Sequence, residues 1–286
     1  MSGQRERVVL VTGASRGAGK GIALALAGPG TTVYVTGRTV TEGAAPLPGT
    51  IGQTAAEVTA RGGTGIAIAC DHGDDEQVAE LFARIEREHG RLDILVNNVL
   101  AVPDGLIEPG PFWTKPLGMQ VLLDVGLRST YVASWHAAPL LIAAGRGLMV
   151  NTSAAGGRCY MHGPAYGAGK AAVDKMAHDM AHDLRDHRVA AVSLWMGLLG
   201  TERTRAVMAA DPGIYGRSPK IESPEYPGRV IEALWADEQM MARSGQVFYA
   251  AELGAELCVT DVDDTAPPSP RAFLGAPTEF SAAVVE

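Results

Sequence analysis

Short β-branched apolar runs alternate along this chain with longer stretches whose apolar residues return every three or four positions. The runs at 7–12, 32–36, 64–70, 92–96, 147–152, 189–195 and 246–250 are almost continuously apolar. That pattern predicts strands covered on both faces, as in a parallel sheet. Helical spacing between them predicts helices over 20–27, 53–61, 74–88, 117–143, 164–182 and 226–236. In 74–88 the stripe is Val78, Leu81, Phe82 and Ile85, opened by an aspartate. Strand–helix alternation at this rhythm implies right-handed βαβ units, and so an α/β fold with a doubly wound parallel sheet and helices on both faces.

The interruptions divide the chain further. Gly28-Pro29-Gly30 stops the first helix, and a Gly- and Pro-rich loop covers 39–50. The stretch 101–119 reads as a loop overhanging the carboxyl ends of the strands. The organisation expected is one domain over 1–256, with a substrate lid at about 198–226, and a peripheral tail over 257–286. With 286 residues, 47% of them apolar and 20% charged, the chain is an ordinary folded protein. A net charge of −8 argues against a nucleic-acid partner, and no apolar run approaches the ~18 residues of a membrane span. No signal-peptide core follows the first residues, so a cytoplasmic location is expected. Cys70, Cys159 and Cys258 have no metal or redox spacing, and His178, His182 and His187 read as a polar helix face; no metal site is expected.

Three places carry chemistry. The first strand runs into Thr12-Gly13-Ala14-Ser15-Arg16-Gly17-Ala18-Gly19 and then a helix, the context in which glycines admit a pyrophosphate to a helix N-terminus. The second strand ends in Thr36-Gly37-Arg38, without the acid that usually holds a ribose diol. Arg38 and Arg16 instead bracket a 2′-phosphate in this reading, which selects NADP(H) over NAD(H). The third strand ends in Asp71, placed to meet an adenine amino group. Finally, Ser153 closes a strand, and Tyr166 and Lys170 sit one helical turn apart at a helix start, with phenol and ammonium on one face. An ammonium there is expected to lower the phenol below its free pKa of about 10.

Taken together, these motifs resemble the short-chain dehydrogenase/reductase family across about residues 5 to 252. The likeness rests on Thr12-Gly13 to Gly19, Asp71, Asn97-Asn98, Ser153, Tyr166, Lys170 and Gly197 to Thr201. Val125-Gly126-Leu127-Arg128, the run after Tyr166 and Ser193-Leu194-Trp195 are closest to the branch typified by dehydrogenase/reductase member one. The resemblance implies a single-domain Rossmann-like fold, a homodimer or homotetramer formed through the long helices, and NADP(H), with NAD(H) also accommodated. It implies Ser153, Tyr166 and Lys170 as catalytic residues. Gly13, Ser15, Arg16, Gly17, Ala18, Gly19, Arg38, Asp71, His72, Asn98, Tyr166, Lys170, Gly197, Leu199 and Thr201 are then the cofactor contacts. Three departures from the family pattern stand out: Val99-Leu100 for Ala-Gly, Met196 for Pro, and Gly126 for the Asn that many members use to kink a helix and order a water.

The activity implied is hydride transfer between nicotinamide and a carbonyl or secondary alcohol, with Tyr166 as acid/base. Phe112, Trp113, Trp195, Met196, Met208 and Tyr215 are candidates to line an apolar pocket for a small-molecule substrate. Two other classes compete: a non-catalytic dinucleotide sensor, which needs no acid, and an NAD-dependent dehydratase or epimerase, against which the glycine spacing and modest length count.

Overall fold

The computed structural model describes residues 6–213 and 220–285. Seven strands, β1 (Arg7–Val11), β2 (Thr31–Gly37), β3 (Thr64–Ala69), β4 (Ile94–Asn97), β5 (Gly147–Ser153), β6 (Val189–Trp195) and β7 (Val247–Tyr249), form one sheet. Their order is β3-β2-β1-β4-β5-β6-β7, with every pairing parallel. The helices are α1 (Gly17–Ala25), α2 (Ile51–Ala60), α3 (Asp75–His89), α4 (Ser129–Ala144), α5 (Pro164–Leu184), α6 (Glu202–Ala210), α7 (Tyr226–Ala236), α8 (Ala250–Glu256) and the short α9 (Arg271–Leu274). The doubly wound parallel sheet expected from the sequence is the architecture observed.

Strand alternation splits the core in two. Val9, Val11, Val33 and Val35 face one layer, with α1, α2 and α7 supplying Ile22, Val58 and Ile231. Val8, Leu10 and Tyr34 face the other, against Val78, Phe82 and Ile85 of α3 and Leu141 of α4. Each such fully buried aliphatic side chain contributes about 1.5–3 kcal/mol relative to exposure, which is why these strands read as unbroken apolar runs. The order reverses between β1 and β4, so the loops leaving these two strands diverge and open a crevice at the carboxyl edge.

The single helix expected over 117–143 is corrected. A 3₁₀ turn, Leu117–Gln120, leads into a stretch whose backbone leaves helical geometry at Val125 (φ −110°, ψ 89°) and Gly126 (φ 151°, ψ −47°), and α4 starts at Ser129. The break is stitched locally: the Gly126 N–H donates to Ser129 Oγ at 3.0 Å, and Thr130 Oγ1 donates to the Gly126 carbonyl at 2.8 Å. In the segment expected as a lid, α6 adds a helix, and Leu199 pairs with Glu222 in a parallel bridge. Residues 214–219, with Tyr215, lie outside the described residues.

The tail is not peripheral. Tyr249 Oη donates to the Gly275 carbonyl at 2.8 Å, and Ser223 N donates to the buried Asp261 at 2.8 Å. Leu274 and Phe280 pack on the cluster of Ala155, Trp195, Val247 and Tyr249 beside Cys159 and Met161. No helix among the described residues is long and apolar enough to cross a membrane.

Candidate active site

The crevice is a cavity of about 550 Å³. Its floor is the turn after β1. Gly13 has φ +66°, and a Cβ on Gly19 would stand 2.3 Å from the Gly13 carbonyl oxygen, so the turn closes only without side chains there. Asn98, at the end of β4, donates its side-chain amide to the Thr12 carbonyl at 2.9 Å and the Gly13 carbonyl at 3.1 Å. Thr12 Oγ1 in return accepts from the backbone N–H groups of Asn98 and Val99. Asn98, expected as a cofactor contact, therefore uses its amide to pin the glycine turn.

The Gly17 N–H, at the start of α1, donates to Glu202 Oε2 at 2.9 Å, while Thr201 packs its methyl over Gly17. The Thr201 hydroxyl accepts the Thr204 N–H and so caps α6. Ser15, Ala18 and Gly19 complete this wall, and Ala45, Pro46 and Leu47 from the loop before α2 face it.

Arg16 and Arg38 both reach the cavity, but differently. Arg16 donates to the Pro48 carbonyl at 2.9 Å, the Gly49 carbonyl at 2.8 Å and Thr39 Oγ1 at 3.2 Å, tying down the loop. The Arg38 side chain is 71% exposed, its guanidinium 3.7 Å from Asp71 Oδ2. Of the two arginines expected to bracket a 2′-phosphate, one is thus an exposed guanidinium and the other is held against the loop. His72, beside Asp71, also lines the cavity; its ring is buried, its Nε2 is 2.8 Å from Thr36 Oγ1, and burial pushes it down to about 4.

At the other end, Ser153, Tyr166 and Lys170 converge on the same cavity with Thr152, Met196 and Gly197. Ser153 closes β5 and is fully buried; its Oγ lies 3.4 Å from the Lys170 carbonyl. Pro164 opens α5, placing the Tyr166 ring over Gly156 and edge-on to His162 at 5.0 Å. Lys170 Nζ donates to the Thr152 carbonyl at 3.1 Å and stands 5.8 Å from the centre of the Tyr166 ring. The expected lowering of the phenol is corrected. Burial first, and Cys159 second, push Tyr166 up to about 12. Burial pushes Lys170 down to about 8, against the opposing pull of Asp174.

Gly197 meets the Glu222 carboxylate, whose Oε1 would lie 2.1 Å from a Cβ there. Leu199 is buried in the bridge to Glu222. Of the apolar candidates, Met196 lines the cavity, whereas Trp195 is core and Met208 lines a separate hollow with Ile221 and Asp261. Phe112 and Trp113 are exposed. Sequence reasoning passed over Glu202, Glu222 and Asp174. Only Glu202 had a local signal, an acid at the first position of a helix beside Thr201.

A glycine-lined turn at the switch point of a doubly wound parallel sheet defines the nucleotide-binding class of α/β proteins. The chain belongs to the short chain dehydrogenase family, whose pattern it matches over residues 7–212; it is an oxidoreductase of that family, which binds a nicotinamide dinucleotide. It is 39% identical over 275 residues to dehydrogenase/reductase SDR family member 1 of Mus musculus, covering 92% of this chain and 84% of that one. The Homo sapiens protein of the same name is 38% identical over the same shares. In fold it is similar to a short-chain type dehydrogenase/reductase from Mycobacterium marinum, with a TM-score of 0.72 and 24% identity over 86% of this chain and 94% of that one. It is likewise similar to YwfH, an NADPH dependent reductase involved in bacilysin biosynthesis, with a TM-score of 0.70 and 21% identity over 86% and 96%.

Proposed function

We propose that this chain is an NADP(H)-dependent oxidoreductase acting on a carbonyl or secondary alcohol, with Tyr166 as the acid/base. The observation that carries the reading is that Ser153, Tyr166 and Lys170 face one cavity with the glycine turn and Arg38. The residues present suit a dinucleotide. The turn is closed to side chains at Gly19, and the Gly17 N–H already holds an anion, the Glu202 carboxylate. When bound, the nicotinamide supplies or takes the hydride.

The chain's own groups then manage the oxygen. A Tyr166 phenol held near 12 is fully protonated at neutral pH, which suits it to donate to the developing alkoxide in the reductive direction. Ser153 Oγ, fixed at the strand end, hydrogen-bonds that same oxygen and strengthens as charge develops. Lys170, held by the Thr152 carbonyl, offers its ammonium to the ribose and to the phenolate left behind. Holding acid and hydroxyl on one wall reduces the orientational freedom that the reaction would otherwise have to lose. Arg38 supports a preference for the 2′-phosphate, with NAD(H) using the same cleft less well. Met196 and the loop at 101–119 favour an apolar small molecule, and exposed Tyr131 and Trp135 on α4 offer a face for self-association into a dimer or tetramer.

The test is a spectroscopic NADPH-oxidation screen across steroids, quinones, aldehydes and keto esters, repeated with Tyr166→Phe. Turnover on at least one carbonyl is expected, with a loss of roughly 10²–10⁴-fold in the variant while NADPH still binds. A variant that keeps wild-type turnover removes Tyr166 from the chemistry.

A further inference from the structure

One buried acid has no part in the chemistry described so far. Asp174 lies on α5, one turn beyond Lys170, with no exposed surface. A carboxylate in such a place is costly unless its oxygens are filled and a countercharge is near. The first condition is met from β6, and a cation, Lys170, lies four residues back on α5. Ser193 Oγ donates to Asp174 Oδ1 at 2.5 Å, and Trp195 Nε1 donates to Oδ2 at 2.9 Å. Ser193 and Trp195 are two apart on β6 and so share a face, and Trp195 is the register partner of Ser153 on β5. Above the carboxylate the backbone comes close, since a Cβ on Gly157 would be 3.1 Å from Oδ2. The acid therefore sits beneath the strand end that presents Ser153, one helical turn along α5 from Lys170.

From this arrangement we infer that Asp174 is the buried countercharge that keeps Lys170 protonated and Ser153 in place, a positioning residue acting through those two groups. The inference rests on the reading of Ser153, Tyr166 and Lys170 given above. Lys170 is lowered to about 8 and Asp174 is raised, each against the pull of the other. Burial lowers Lys170 and Asp174 opposes it; burial raises Asp174, and the hydroxyls of Ser193 and Ser153, the Trp195 indole and Lys170 oppose that. Other charged or titratable groups lie on the elements packed around it. β5 and β6 carry no titratable side chain. The turn after β5 brings Arg158 and Cys159, and β7 brings Tyr249, whose hydroxyl is held by Gly275. The break before α4 brings Asp124 and Arg128, the latter paired with Asp75. α4 itself brings exposed Tyr131 and His136, the latter stacked on Phe82. On α5, Lys175 pairs with Asp179, and the His178 ring meets the Gly245 carbonyl.

The test is Asp174→Asn, which keeps the shape and removes the charge. The chain has only five lysines, so the ¹³Cε resonance of Lys170, assigned with Lys170→Met, can be titrated in the protein without added dinucleotide. Its midpoint is expected to fall by about one pH unit in Asp174→Asn. In NADPH-driven carbonyl reduction, the high-pH limb of kcat is expected to move acidward by a similar unit, so that kcat drops about twofold near pH 7 and about tenfold above the wild-type limb, with KM for NADPH within about threefold. Should Asp174→Asn not fold, Trp195→Phe and Ser193→Ala each remove one donor to the carboxylate, favour its neutral form, and should move the Lys170 midpoint the same way by less. A folded variant with an unchanged Lys170 midpoint and pH limb overturns the inference. A wild-type chain that oxidises NADPH with no carbonyl overturns the reading of the site instead, and the lysine titration still decides the charge pair.

Discussion

Glu202 Oε2 accepts the Gly17 N–H at 2.9 Å, so an acid from α6 lies on the helix end that a pyrophosphate is proposed to use. An anion there enjoys the same free N–H and dipole that would hold a phosphate, and competes with it. Glu202→Gln keeps a hydrogen-bonding oxygen and removes the charge. NADPH is expected to bind about two- to fivefold more tightly, the equivalent of roughly 0.3–1 kcal/mol at a helix terminus, and the gain should shrink as salt rises. Fluorescence titration checks this; equal affinities at low salt would mean the carboxylate leaves without cost.

Arg38 and Arg16 make a paired test of coenzyme choice. Arg38 is exposed at the cavity wall, while Arg16 holds the carbonyls of Pro48 and Gly49. Arg38→Asp is expected to raise KM for NADPH by about tenfold or more and to leave NADH little changed, because it replaces a phosphate donor with an anion. Arg16→Ala loosens the loop and should weaken both coenzymes alike. Steady-state kinetics with each coenzyme separate the two; an Arg38→Asp enzyme with unaltered preference removes Arg38 from phosphate recognition.

What could be read from the chain, and what could not, divides along a physical line. Runs such as Val8–Val11 announce themselves because both faces of a central parallel strand are buried. The glycine turn and the Tyr166–Lys170 spacing are equally local. Asp174 reads as an ordinary polar position of α5, since its two donors come from β6, 19 and 21 residues away. The Glu202 contact spans 185 residues, and the tail's hold on Tyr249 and Trp195 likewise needs the finished sheet. At Val125–Gly126 apolar periodicity runs on while the backbone breaks, so only the family's kink position at Gly126 pointed to it.

That break has its own test. Gly126 has φ +151°, and a Cβ there would stand 2.5 Å from Leu100 Cδ1. Gly126→Ala therefore meets both backbone strain and a side chain in the cavity wall beside Tyr166 and Lys170. A loss of about 1–3 kcal/mol in unfolding free energy is expected. Adding Leu100→Ala should recover only the steric part, because φ is unchanged. Chemical denaturation of the single and double variants checks this, and full recovery in the double variant would show that the backbone is not strained.

Glu222 supplies a stability signature in pH. Its carboxylate is buried against Gly197 with Oε2 lacking a hydrogen-bond partner, and burial raises it from 4.5 to about 7, aided by Asp261. Between about 4.5 and 7 the folded chain thus binds more protons at this site than the unfolded chain. Stability must fall as pH rises through that window, and the full cost is present above about 7. Glu222→Gln has no such charge to bury. It is expected to be more stable than wild type above pH 7, by at most about 3 kcal/mol and several degrees in Tm, with the advantage gone by about pH 4.5. Thermal unfolding followed by circular dichroism across this range checks the sign. Parallel Tm curves for the two proteins would mean that the carboxylate is charged at the same pH folded and unfolded, and that its place beside Gly197 costs the fold nothing.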